Sequence, residues 1–144
     1  MHKKEEISAA FLGIIVALIL WLTILSREAQ VGGISFYKPF HSIIHLWKDI
    51  QRGGLRGNFI GNLVLFIPAG ALIPLVTGWK KMWKIAVTGL CFSLIIETIQ
   101  LVTKRGVFDP DDILLNCLGC IIGYELLNMI IKLVKKRELS DAIN

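Results

Sequence analysis

From Ile7 to Leu25 the chain runs nineteen residues without a charge. As a helix that run spans about 28 Å at 1.5 Å per residue, close to the ~30 Å hydrocarbon core of a bilayer. A helix apolar on every side belongs in lipid or in a large protein interior. The chain has only 144 residues, too few for such an interior. Three more apolar runs follow, over about 58–76, 82–102 and 113–131. The composition agrees, with 54% apolar residues and a mean hydropathy of +0.64. The expected fold is an all-α membrane protein, a four-transmembrane-helix bundle. Residues 1–6 form an N-terminal segment, 7–134 the transmembrane domain and 135–144 a basic tail.

Lys3 and Lys4 precede the first run, as in a signal peptide. That run is longer than the usual signal core and no small-x-small site closes it, so it reads as a retained helix. Four spans put both termini on one side. Lys3, Lys4, Lys80, Lys81, Lys84, Lys132, Lys135, Lys136 and Arg137 lie on that side. Arg27, Lys38, Lys48, Arg52, Arg56, Lys104 and Arg105 lie on the other. Nine cations against seven place the termini in the cytoplasm by the positive-inside rule. The net charge of +5 is then membrane anchoring, not nucleic-acid binding. Trp21, Trp79 and Trp83 stand near span ends, where interfacial tryptophans collect. In the long first loop, "FHSIIHLWKDIQ" has Phe40, Ile43, Ile44, Trp47 and Ile50 at helical spacing, which predicts a short amphipathic helix in the interface. His41 and His45 are four apart, but no third metal ligand accompanies them.

The stretch "ETIQLVTKRGVFDPDDILLN", Glu97 to Asn116, concentrates the charge. Glu97 and Gln100 lie in the last turns of the third run, Glu97 roughly 8 Å from its end. Asn116 lies in the first turns of the fourth run, and Asn58 and Asn62 open the second. All of these fall at one end of the bundle, with Arg27, Lys104, Arg105, Asp109, Asp111 and Asp112. Glu97, Gln100 and Lys104 share one helical face by spacing, as do Asp109, Asp112 and Asn116. A carboxylate at the centre of a membrane helix costs about 2.5–3.5 kcal/mol on insertion scales, and less near an edge. Glu97 is therefore expected to face a crevice.

Ordinary structural roles cover part of this set. "FDPDDI" is a helix start, with Asp109 as N-cap, Pro110 at N1, and Asp111 and Asp112 beside the positive end of the dipole. Of the three aspartates, Asp111 is expected to matter least, through the dipole alone. Asn62, Gln100 and Asn116 can hydrogen-bond between helices, and "GNFIG" and "GCIIG" are small-residue packing faces. "CLGC" sits inside an apolar helix and reads as small packing residues, not a redox pair. Glu125 lies well inside the fourth run and needs a partner. Packing alone does not call for Glu97 with three aspartates and two cations. Such a set suits a polar head group, with a phosphate on the cations or a metal on the acids.

At these residues the sequence resembles the VanZ-like family of small bacterial membrane proteins. The matching stretches are "GNLVLFIPAGALIP" (Gly61 to Pro74), "ETIQLVTKRGVFDPDDILLNCLGCIIGY" (Glu97 to Tyr124), "LSRE" after the first run, and "KPF" (Lys38 to Phe40). The family pattern falls on Arg27, Pro39, Phe40, Asn62, Phe66, Pro68, Gly70, Glu97, Gln100, Arg105, Asp109, Asp112, Asn116, Gly119 and Gly123. Tyr37 and Lys38 depart from it where apolar residues are common, and Cys117 and Cys120 where small ones are. The resemblance implies a multi-pass protein of the bacterial cell membrane, with a namesake that gives low-level resistance to the glycopeptide teicoplanin.

The leading expectation is an outward-facing site made of Arg27, Asn62, Glu97, Gln100, Arg105, Asp109, Asp112 and Asn116. It would recognise an envelope head group, such as a lipid-linked precursor or a glycopeptide-related ligand. A second reading is a small membrane enzyme acting on a lipid-linked phosphate or glycan, with Glu97 as general acid/base, Asp109 and Asp112 on a divalent metal and Arg105 on a phosphate. A third is a structural partner in a membrane complex. No catalytic motif is complete, so a non-enzymatic role without a cofactor is favoured. The partners expected are the bilayer and that ligand, with no nucleic acid.

Overall fold

The computed structural model describes residues 2–25, 44, 45, 48, 57–105 and 108–142. Among them are four helices long and apolar enough to cross a membrane. The first, α1 (His2–Leu20), runs on into a π-helical segment, Trp21–Leu25. The others are α2 (Gly57–Thr77), α3 (Met82–Thr103) and α4 (Pro110–Asp141). The interfacial helix expected around "FHSIIHLWKDIQ" lies outside the described residues, apart from the helical positions Ile44, His45 and Lys48.

Local chemistry sets the helix ends. Gly78 takes φ +69 after α2 and its N–H donates to the Pro74 carbonyl at 2.9 Å. Only glycine adopts that conformation without strain, so the chain turns sharply into α3. At the end of α3, Lys104 occupies the left-handed region at φ 55. Its N–H donates to the Leu101 carbonyl at 3.3 Å and the Arg105 N–H to the Gln100 carbonyl at 3.0 Å. This is a Schellman closure, with lysine where glycine is usual. It takes Lys104 off the face of Glu97 and Gln100, on which the helical spacing had placed it. At the start of α4, Pro110 follows the N-cap Asp109, whose Oδ1 accepts from the Asp111 N–H at 2.9 Å.

α4 is the central helix, packed most extensively on α2, then on α3, while α1 packs on α2. Glycines determine how close these contacts come. A Cβ at Gly119 would strike the Leu63 carbonyl and Phe66, and one at Gly123 the Ile67 carbonyl. A Cβ at Gly70 would collide with the Cys120 backbone, and one at Gly89 with the Cys120 side chain. Cys120 thus acts as a small packing residue between three helices. Among the described residues Gly61 has open space around it, so this member of the packing face expected of "GNFIG" meets no neighbouring helix there.

These contacts also give direction. Higher numbers on α2 meet higher numbers on α4, so the two run parallel. Glu97 with Asp109, Ser93 with Asn116, and Lys80 with Tyr124 run in opposite order along α3 and α4, which are antiparallel. The Tyr124 hydroxyl donates to the Lys80 carbonyl at 2.7 Å, which ties α4 to the α2–α3 turn. Glu125, the next residue, is exposed on the outside of the bundle. Beyond it, Leu126–Asp141 adds about 24 Å of helix.

The distribution of polarity is that of a protein in lipid. Phe11, Ile14, Val64, Ile95 and Val102 lie outside. The interior holds Ile19, Phe66, Ile85, Ile96, Cys120 and Tyr124, with Phe66 and Phe92 tilted at 5.9 Å between centroids. Also inside are Thr23, Asn62, Ser93, Glu97, Gln100, Asp109, Asp111 and Asn116. A water-soluble fold would expose most of these polar groups and bury the aliphatic ones.

Candidate functional site

Seven of these eight buried polar residues lie on the π-helical segment after α1, on α3 or α4, or in the connection entering α4, and Asn62 lies on α2. All fall between the middle of the bundle and its end opposite the termini of the chain. Helix ends explain part of the cluster. The last carbonyls of a helix have no partner within it, and lipid supplies none. At the π-helical end of α1, Gln100 Nε2 donates to the Thr23 carbonyl at 2.9 Å. The half-buried Arg105 donates Nη1 to the Leu25 carbonyl at 3.2 Å. Thr23 Oγ1 donates back to the Ile19 carbonyl at 2.6 Å. The end of α1 is thus held by two side chains from α3 and the residues just after it.

Glu97 does the corresponding work for α4. Its Oε2 accepts the Asp109 N–H at 2.9 Å, twelve residues on. Glu97 is 1% exposed, so this bond pins Asp109, at the start of α4, inside the bundle. One turn deeper, Asn116 Nδ2 donates to Ser93 Oγ at 2.7 Å. Asp112 is half-buried, and its N–H donates to the Asp109 carbonyl at 3.2 Å. None of Glu97, Asp109, Asp111 and Asp112 is without a partner.

Of the residues singled out in the sequence, the structure brings Asn62, Glu97, Gln100, Arg105, Asp109, Asp112 and Asn116 to this one end. Arg27 lies outside the described residues. Two members were not anticipated. Thr23 and Ser93 are small hydroxyl residues that look neutral inside apolar runs, and only their partners reveal them. Asp111 is 0% exposed, where the sequence assigned it only a dipole contribution at a helix start. The N-cap role of Asp109 turns the first turn of α4 so that Asp111 points inward.

After these bonds three buried atoms remain unpaired among the described residues: Asn62 Nδ2, Gln100 Oε1 and Asn116 Oδ1. A buried polar group without a partner costs roughly 1–3 kcal/mol. Three such groups, one donor and two acceptors, at one end of a small bundle are chemically suited to a polar guest or to bound water. Among the described residues no group of three or more His, Cys, Asp or Glu side chains is placed to hold a metal ion.

Fold and polarity together define a multi-pass membrane protein, a four-helix bundle with a polar interior at one end. Residues 10–134 match the model of the VanZ/LLP1 family, and the chain belongs to that family. No curated protein and no solved structure matches it.

Proposed function

We propose that this protein is a receptor in the bacterial cell membrane for a polar envelope head group. Its termini lie in the cytoplasm and its polar end faces outward. Binding there makes glycopeptides such as teicoplanin, which act outside the membrane, less effective. The observation that carries this reading is the set of unpaired amide atoms on Asn62, Gln100 and Asn116. A bundle built only for packing has no use for three unsatisfied groups, whereas a ligand with hydroxyl, amide or phosphate functions satisfies them. The acids and Arg105 around them add charge of both signs, and the resemblance to VanZ-like proteins points to the same antibiotic class. The enzymatic reading has less behind it. Glu97 already accepts a backbone N–H at 2.9 Å, and no metal-holding acid cluster accompanies it among the described residues.

Asn62→Leu tests the proposal. Leucine has nearly the shape of asparagine and removes the unpaired amide, so the folded protein should be as stable as wild type or more so. Cells lacking the gene and carrying this variant should nevertheless be as sensitive to teicoplanin, and as altered in lipid-linked envelope precursors, as cells without it. Full complementation by Asn62→Leu would overturn the reading.

A further inference from the structure

A cavity lies at the opposite end, between the α2–α3 turn and the C-terminal half of α4. It has a volume of about 400 Å³. Its walls are apolar, from Pro74 and Leu75 on α2 and Leu127 and Ile131 on α4, while Lys80 and Lys135 bring two cations to it. No acidic residue lines it. The wall formed by the turn is built rigidly. Gly78 supplies the left-handed corner, and the Tyr124 hydroxyl ties the Lys80 backbone to α4. Lys84 Nζ stacks over the Trp79 ring at 5.2 Å and lies 5.9 Å from that of Trp83. The tie between Tyr124 and Lys80 leaves the Lys80 side chain exposed, and Lys135 is exposed as well.

We propose that this cavity binds an anionic phospholipid, with its phosphate between Lys80 and Lys135 and an acyl chain along Leu75 and Ile131. Three features select that occupant. The site joins cations to an apolar wall within the width of one lipid. A free phosphate would use only the former and a neutral lipid only the latter. It lies at the level of the Trp79 and Trp83 girdle, where head groups sit. Basic pockets between membrane helices are sites of this kind for acidic head groups. The C-terminal half of α4 gains a function from this. Exposed Leu126, Met129, Ile130 and Leu133 lie beside lipid, and the bound head group ties that half to the α2–α3 turn.

The test uses the full-length protein in nanodiscs and in detergent with added lipid. Phosphatidylglycerol should raise the melting temperature and survive as a bound adduct in native mass spectrometry. Phosphatidylcholine and inorganic phosphate should do neither. Lys80→Gln with Lys135→Gln should weaken phosphatidylglycerol binding by roughly tenfold or more. The same double variant should melt as wild type does in phosphatidylcholine. Lys81→Gln with Arg137→Gln removes the same charge from the same end without touching the cavity, and should leave binding unchanged. An equal loss in both double variants would mean diffuse attraction to the bilayer surface and would overturn the site. Protection by inorganic phosphate equal to that by lipid would also overturn it, leaving an anion site without an acyl groove.

Discussion

Two buried carboxylates at the polar end respond differently to loss of charge. Glu97→Gln retains an oxygen that can accept the Asp109 N–H, so the α3–α4 connection should hold and the melting temperature should stay near that of wild type. The proposed activity should disappear, because the charge is gone from the site. Glu97→Ala removes the acceptor as well and strands a buried N–H, at a cost of about 1–3 kcal/mol. Asp111→Asn belongs with the alanine variant. The sequence alone suggests a mild effect, the 0.3–1 kcal/mol typical of an acid near a helix dipole. Full burial of Asp111 and its partnered state raise the expected loss to about 1–3 kcal/mol. Unfolding of the three variants in detergent distinguishes these outcomes, and a loss for Asp111→Asn no larger than the dipole effect would return that residue to the surface role.

Between helices, close approach is the dominant device. Without a hydrophobic force between helices in lipid, van der Waals packing of small residues holds a bundle together. Gly119 and Gly123 bring α4 onto the backbone of α2. Gly123→Leu would drive a large side chain into the Ile67 carbonyl, where main chain cannot yield as a flexible side chain can. The yield of folded, monodisperse protein should fall sharply. Ile130 is 54% exposed, so Ile130→Leu changes only the contact with lipid and should leave yield unchanged. Gly61 has open space, and Gly61→Ala should be tolerated for the same reason. Size-exclusion profiles after extraction compare the three, and equal tolerance of Gly123→Leu would contradict the packing.

The bundle has two ends of different character. One gathers acids, amides and Arg105 inside. The other carries lysines, Trp79 and Trp83 outside, with both chain ends on its side. Orientation decides which faces the cell exterior, and the proposed receptor role depends on it. The cation balance predicts that the polar end faces out. A single cysteine at position 106, in the α3–α4 connection of a variant without Cys91, Cys117 and Cys120, should react with an impermeant maleimide in intact cells. Reaction only after permeabilisation would reverse the orientation and remove the extracellular target.

Four membrane helices and the gathering of polar residues at one end were legible in the amino-acid sequence. Span length and chain direction alone require them: α1 must end, and α2 must begin, on the same side as the α3–α4 connection. The N-cap at Asp109 was equally legible, because capping is local chemistry. What each polar residue does was not. Gln100 and Arg105 bond to carbonyls at the end of α1, some eighty residues earlier in the chain, and no spacing rule reports a bond of that range. The burial of Asp111 and the open space at Gly61 likewise depend on which helix stands alongside. Local patterns set the ends and faces of helices, but only their packing decides which face meets protein and which meets lipid.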